Sequence, residues 1–148
     1  MAGTKINARD IHVEVQDSDG TWLEVDGLNS VTVNPSENEQ TADTTVFESE
    51  GHYEQEVMQR GSSMSLEGFK LKDATGAPDP GQGRLEELAT MMAAQSLGAV
   101  RFRHPDDSEW TVWDATVSIG SQGGNNNAKT SWSCTLTRSG KSTTSTVA

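Results

Sequence analysis

Three histidines, His12, His52 and His104, are the first residues of this chain to test for chemistry, because imidazole binds metals and transfers protons near neutral pH. None has a cysteine or carboxylate at a recognised metal-ligand spacing, and no nucleophile-elbow motif accompanies the many serines. The pattern indicates three unrelated surface histidines. It predicts no catalytic residue, no metal site and no cofactor.

Two acidic turns and one glycine-rich loop are further candidate ligand sites. Carboxylates near residues 17–24 and 106–109 could hold calcium, but neither set has the spacing of the known calcium loop. Residues 120–124, Gly-Ser-Gln-Gly-Gly, lack the lysine and the helix that follow a phosphate-binding loop. Solvated hairpin ends explain all three segments better.

The four tryptophans could form a carbohydrate-binding platform. Three of them occupy strand-alternating positions, where packing in a core or between subunits is the better explanation. The single cysteine, Cys134, excludes an internal disulfide and alternates with apolar residues, which predicts a small core residue. The tryptophans are Trp22, Trp110, Trp113 and Trp132.

Charge excludes two classes of partner. The 148 residues carry a net charge of −11, and no acidic residue follows Asp114. Binding to nucleic acid requires lysine and arginine to displace counterions from phosphates, and an anionic membrane surface attracts the same basic residues.

Mean hydropathy is −0.61, no apolar run approaches the length of a transmembrane helix, and residues 1–7 lack the apolar core of a signal peptide. We therefore expect one domain, made and kept in a cytoplasm, that binds neither membrane nor specific DNA.

Alternating apolar residues predict about seven strands. The turn at Asp17–Gly20 predicts a hairpin, and a shift of the apolar set predicts a bulge near Gly68. We expect residues 1–9 and 139–148 to be flexible. The predicted fold is an antiparallel β-sandwich or barrel of two packed sheets with one flanking helix. The predicted strands cover residues 11–16, 21–25, 28–33, 62–72, 99–104, 109–119 and 129–138.

One amphipathic helix is predicted to pack on the sheet. Its apolar residues are spaced at i, i+3, i+4 and i+7. Asp79 is placed to cap the helix with Pro80 at its first position, and Gly98 is placed to stop it. The residues predicted to pack on the sheet are Leu85, Leu88, Ala89 and Met92.

The long connection at residues 35–63 dominates the organisation of the chain. It contains seven acidic residues from Glu37 to Glu56 and no lysine or arginine between them. Loops this long in compact domains are usually binding segments, lids or linkers. Apolar residues are spaced along it as anchors, at Val46, Phe47, Tyr53, Val57 and Met58. The simplest inference is an extended arm that packs on something outside its own subunit, which indicates assembly rather than catalysis.

Three motifs give the chain a resemblance to a known family. Residues 43–51, Asp-Thr-Thr-Val-Phe-Glu-Ser-Glu-Gly, look like an arm motif D-x-T-x-F-x-S-x-G, and the strand at 63–68 follows it. Residues 132–141 look like the ending s-x-t-L-x-x-s-G-k. With the late helix, these motifs make the chain resemble the major tail tube proteins of long-tailed bacteriophages with non-contractile tails, which are related to the tube protein of type VI secretion.

The resemblance implies a structural virion protein and no enzyme. In that family six subunits join sheets edge to edge into a ring, rings stack into a tube, and the arm reaches the next ring. Partners would be other copies of the chain, a tape measure protein, a tail-tip initiator and a tail terminator, with DNA passing through the tube. The residues carried over to the contact between rings are Asp43, Thr44, Thr45, Phe47, Ser49 and Gly51.

The resemblance also suggests a use for the acidity. A bore lined with carboxylates would repel the phosphate backbone and let DNA slide. The alternative is that the charge keeps the free monomer soluble. An arm that orders only on stacking is a further hypothesis. Two other functions stay open from the sequence: a carbohydrate- or receptor-binding β-sandwich that uses the tryptophans, and an enzyme with an acidic cleft.

Overall fold

Ten strands and one α-helix form the framework of the computed structural model, which describes residues 3–147. This composition confirms the predicted mainly β class with one flanking helix. No helix among these residues has the length and apolar character needed to span a membrane. The elements are β1 (His12–Gln16), β2 (Trp22–Glu24), β3 (Leu28–Asn34), β4 (Gln40–Asp43), β5 (Gln55–Gln59), β6 (Ser63–Phe69), α1 (Pro80–Leu88), β7 (Gly98–Arg103), β8 (Glu109–Ile119), β9 (Ser131–Arg138) and β10 (Thr143–Thr146).

Eight strands form one antiparallel sheet. Its order is β2-β1-β7-β8-β9-β6-β3, and β10 pairs with residues 109–112 of β8 while β9 pairs with residues 115–119. Strands near both ends of this order contribute to one core, so the sheet curls around it. The two packed faces of the predicted sandwich therefore belong to a single continuous sheet. The second sheet is small and contains only β4 and β5.

The core is a single cluster between the curled sheet and the helix. Full burial of each large apolar side chain contributes about 1.5–3 kcal/mol to folding. Cys134 is part of this cluster, and burial raises the pKa of its thiol to about 12. Its main members are Val13, Val15, Met64, Leu66, Leu85, Leu88, Val100, Trp113, Trp132, Cys134 and Leu136.

The helix is shorter than predicted. Asp79 caps it by accepting a hydrogen bond from Gln82 N at 3.2 Å, but it ends at Leu88 and not before Gly98. Leu85 and Leu88 are buried and Ala89 is half-buried. Met92 lies beyond the helix and is 80% exposed, so its predicted packing on the sheet is wrong.

Local bonds explain the early end of α1. Thr90 Oγ1 donates to the carbonyl of Glu87 at 2.7 Å, which satisfies a carbonyl of the last turn. Ala93 then takes a φ of +56°, which is incompatible with continuing a right-handed α-helix. Gly98 opens β7 against the end of the helix, where an added Cβ would lie 2.4 Å from Leu88 Cδ1. The chain must leave the helix early for β7 to pack there.

Two side chains join the helix to the sheet. Buried Gln82 donates Nε2 to the carbonyls of Asp26 and Phe69, both at 2.9 Å, and accepts from Leu71 N at 3.1 Å. The Glu86 carboxylate accepts hydrogen bonds from Trp132 Nε1 and from Lys70 Nζ, each at 3.0 Å. Burial works to raise the pKa of the Glu86 carboxyl, but these hydrogen bonds outweigh it and hold that pKa below its usual range.

The prediction for the bulge needs correction, and the chain ends contain short elements. Residues 143–146 form β10 and residues 8–10 form a 3-10 turn, within the two terminal segments whose flexibility stays a prediction. Residues 1, 2 and 148 lie outside the described part of the chain. The bulge faces Gly68 but belongs to β3, at Asn29. An added Cβ on Gly68 would lie 2.1 Å from the carbonyl of Gly27, so the close approach of the strands requires glycine.

Candidate assembly site

The long connection is a β-hairpin, which we call the arm hairpin (residues 35–62). β4 and β5 pair antiparallel, with Ala42 opposite Glu56 and Asp43 opposite Gln55, and an irregularity follows Gln40. All five residues of β5 are exposed. The predicted extended arm is therefore a paired two-stranded hairpin and not an unpaired loop. Its strands show no apolar alternation, because neither face of the pair is buried in the core.

Polar bonds fix the base of the arm hairpin to the main sheet. Glu37 Oε2 accepts from Asn34 Nδ2 at 3.1 Å and from Ser63 Oγ at 3.3 Å. An added Cβ on Gly61 would lie 2.3 Å from the carbonyl of Glu37, so the base closes only around glycine. Asn34 ends β3 and Ser63 starts β6, so the hairpin extends the β3–β6 pair beyond the core.

A network of side chains holds the tip of the arm hairpin. Thr45 N donates to Asp43 Oδ1 at 2.9 Å, and this bond, with a weaker one from the Thr45 hydroxyl, lowers the pKa of the Asp43 carboxyl. Thr44 N donates to the carbonyl of Glu54 at 3.1 Å, and Glu54 N donates to Thr45 Oγ1 at 2.9 Å. Ser49 Oγ donates to the Glu54 carboxylate and accepts from the backbone N–H three residues earlier. These bonds join the two sides of the tip within a single chain.

A tight turn completes the tip. Glu50 and Gly51 take φ values of +55° and +82°, and Glu50 N donates to the carbonyl of Phe47 at 3.2 Å. Residues in this left-handed region are uncommon unless they are glycine. The turn allows the chain to reverse within a few residues and leaves the Phe47 ring outside.

The tip presents apolar side chains among carboxylates. Phe47 is 100% exposed, Tyr53 66% and Val46 56%, and Met58 farther down the stem is also mostly exposed. A fully exposed phenylalanine gains about 1.5–3 kcal/mol when it is buried. Exposed apolar patches rimmed by polar residues mark interaction sites. The arrangement can bind a surface.

The structure places the predicted contact residues in two roles. Asp43, Thr45 and Ser49 hold the shape of the tip through bonds within the hairpin, whereas Phe47 projects from it. Contact of these residues with another copy stays a prediction. Glu54, the partner of three tip residues, was not predicted. The position of Glu54 opposite these residues is visible only once β4 and β5 are paired.

The histidines and tryptophans considered as candidate sites do not come together as a binding site. His12 Nδ1 lies 3.4 Å from Glu24 Oε1 at the surface, and within residues 3–147 no three metal-ligating side chains converge. Trp110 is 7% exposed, and Arg101 lies between it and Trp22 with the guanidinium 4.2 Å from each ring. Trp113 and Trp132 belong to the core. The tryptophans therefore do not form an exposed platform for a sugar.

Comparison with known proteins found similarity of fold. No family model and no curated protein matches the chain. One similar solved structure is a chain in the virion of a native gene transfer agent particle, with a TM-score of 0.71 and 20% identity over 95% of this chain and 99% of that one. Another is a chain in the tail of an empty gene transfer agent particle, refined as a helix with C6 symmetry. Its TM-score is 0.68, with 21% identity over 97% of this chain and 100% of that one. The chain shares the fold of these particle proteins. The match covers nearly all of each chain.

Proposed function

We propose that this protein is the repeating subunit of a bacteriophage-type tail tube, which assembles as stacked hexameric rings and conducts DNA. The observation that carries this proposal is the end-to-end similarity to a chain of a C6-symmetric helical tail. The particle location would be the virion tail, with assembly in the cytoplasm of a bacterial host. The role is structural and uses no catalytic residue or cofactor.

Open strand edges give the subunit a means to form a ring. β2 and β3 end the sheet order, and each leaves one edge without a strand partner within the described residues. Unpaired edges of this kind are templates for pairing with another chain. Joining the sheets of adjacent copies would satisfy these backbone groups, and a cyclic arrangement would leave neither of these two edges open.

The arm hairpin gives the subunit a means to stack rings. It extends the β3–β6 pair beyond the core, and its side chains are exposed. Burial of Phe47 against the next ring would be the main apolar gain, with Asp43, Thr44, Thr45, Ser49 and Gly51 holding its position. The surplus of carboxylates would line a bore that repels DNA phosphates. Growth and length would depend on a tail-tip initiator, a tape measure protein and a terminator.

Assembly in solution tests the proposal. Wild-type protein should form rings or hollow tubes in negative-stain electron microscopy, spontaneously or on tail-tip nuclei. Replacement of residues 41–51 by a short Gly/Ser linker should abolish stacking, whereas Met92→Ala, which alters a largely exposed apolar residue outside the hairpin, should not. Failure to form tubes on supplied nuclei, with the linker variant behaving as wild type, would refute the proposal.

A further inference from the structure

Four neighbouring strands, in the order β8-β9-β6-β3, turn one face away from the core. Their pairing places Ser118 opposite Thr135, Thr135 opposite Ser65, and Ser65 opposite Thr32. All four of these residues are exposed, whereas the residues that alternate with them along β6 and β9 belong to the core. A row of hydroxyl groups therefore crosses the middle of this surface. We call the outward side of these four strands the hydroxyl face.

A second polar row crosses the hydroxyl face beside the arm hairpin. Thr116 lies opposite Thr137, Thr137 lies opposite Ser63, and Ser63 lies opposite Asn34. Ser63 Oγ donates to Glu37 Oε2 at 3.3 Å, so the base of the arm hairpin is joined to this end of the face. The arm hairpin therefore continues the hydroxyl face in the direction of β6.

Glu67 carries the charge of the hydroxyl face. It is exposed, and it lies between Ser30 on β3 and Ser133 on β9. Phe69, opposite Ser131, ends the face. No lysine or arginine occupies an outward position of these four strands within the described residues. A typical soluble surface has about a quarter to a third of its positions charged, with both signs interspersed. The hydroxyl face is nearly neutral and has no positive charge.

The outward face of β1, β7 and the start of β8 has a different charge pattern. Arg101 lies there between Trp22 and Trp110, and the Arg103 guanidinium lies 4.9 Å from the Trp110 ring. Glu14 pairs with Arg101, but no carboxylate pairs with Arg103 within the described residues. Arginine and lysine hold DNA by displacing counterions from its phosphates. This arginine-bearing face would retain DNA and is unsuited to a surface past which DNA must slide.

We infer, on the basis of the proposed function, that the hydroxyl face forms the wall of the bore and that the duplex DNA in transit is its partner. A hydroxyl can donate to a phosphate, but the bond only replaces one with water and displaces no counterion. Contacts of this kind are weak and exchange readily with solvent. Glu67 adds one carboxylate per subunit, so six copies in a ring surround the bore with negative charge that repels phosphates.

The arm hairpin extends the same chemistry along the tube axis. It follows the hydroxyl face beyond the end of β6 and contains seven acidic residues from Glu37 to Glu56, with no lysine or arginine between them. Arg60 at its base lies 3.4 Å from Glu39 and is paired with it. A wall built from the hydroxyl face and the arm hairpin presents hydroxyls and carboxylates, which do not hold DNA.

Cysteine accessibility in assembled tubes tests the inference. Ser65→Cys changes an exposed serine in the middle of the hydroxyl face, and Ser145→Cys is the matched control, because Ser145 is exposed and lies opposite Trp110 on the arginine-bearing face. In tubes, the Ser65→Cys protein should react with a small maleimide but not with a maleimide carried on a globular protein too wide for the bore. The free subunit of this variant, and tubes of the control, should react with both reagents. Native Cys134 is buried and adds no background.

Added positive charge provides a second test. Tubes of Ser65→Lys should retain a short DNA duplex and protect it from a nuclease too wide for the bore. This retention should weaken about a thousandfold or more between 50 and 200 mM salt, the range for six or more phosphate contacts. Tubes of Ser145→Lys should bind duplex that stays sensitive to the nuclease, and wild-type tubes should retain none.

Three results would overturn the inference and leave the proposed function standing. One is reaction of Ser65→Cys tubes with the wide reagent, which would place the hydroxyl face outside. The others are reaction with neither reagent, or loss of tubes in Ser65→Cys alone, because both would place this face in a contact between subunits. Absence of wild-type tubes on supplied nuclei would refute the proposed function as well.

Discussion

The clearest quantitative consequence of the structure concerns Phe47. Its side chain is 100% exposed, so Phe47→Ala removes no contact from the isolated subunit. Surface substitutions of this kind change the free energy of unfolding by about 0.5 kcal/mol or less. Burial of the same side chain at a contact between rings would contribute about 1.5–3 kcal/mol. Because about 1.4 kcal/mol corresponds to a tenfold change in an equilibrium constant, the critical concentration for stacking should rise about ten- to hundredfold.

Two assays separate these effects. Guanidinium unfolding of the monomer, followed by tryptophan fluorescence, should give the same midpoint for Phe47→Ala and wild type. Pelleting of assembled protein over a range of concentrations should give the shifted threshold. Met92→Ala is the matched control, because Met92 is 80% exposed but lies outside the arm hairpin. The reasoning is wrong if Phe47→Ala assembles at the wild-type concentration, or if it lowers monomer stability by more than about 1 kcal/mol.

Three further predictions concern the fold. Gln82→Ala should reduce the free energy of unfolding by about 3 kcal/mol, because the three hydrogen bonds of buried Gln82 are lost. Gln122→Ala at the surface should change the free energy of unfolding little. Denaturant titration measures both variants. Partial desolvation raises the pKa of the Asp26 carboxyl, and the carboxylates of Asp79 and Glu24 raise it further. Ionisation of Asp26 therefore lowers the free energy of unfolding as pH rises through the folded pKa. Thermal unfolding should show Asp26→Asn to be more stable than wild type at pH 7 and equal to it near pH 3. Equal melting temperatures of the two proteins at pH 7 would contradict this prediction. The Cys134 thiol should resist a thiol reagent at pH 8 in the folded protein, because burial raises the pKa of this thiol to about 12. The same thiol should react at once in guanidinium. Rapid reaction of the native protein would show that the core opens.

Apolar alternation predicted the strands that face the core. β8 occupies residues 109–119, the predicted bounds, because Trp113, Ala115 and their alternate neighbours face one side. The β1–β2 hairpin forms around the Asp17–Gly20 turn as expected, with Gly20 at a φ of +90°. These elements carry their information in local sequence, since burial of one face fixes the register.

Elements held by backbone pairing alone could not be predicted in this way. β10 contains only exposed threonine and serine, and neither face of β4 or β5 is buried, so no period of two appears in the sequence. Met92 continues the helical spacing of Leu85 and Leu88, yet the helix stops earlier because β7 packs at its end. That requirement is tertiary and has no local signal.

The candidate site was found from the sequence only in part. The length and acidity of the connection identified the arm, and its motif singled out Phe47. The partner residues Glu54 and Glu37 were not identified, because their roles depend on which residues face each other across the hairpin.

Cryo-electron microscopy of wild-type assemblies grown on tail-tip nuclei tests the central claim most directly. We predict hollow tubes of stacked rings with sixfold symmetry, in which the arm hairpin of each subunit lies against the adjacent ring. Absence of tubes, or tubes in which every arm hairpin points into solvent, would contradict it.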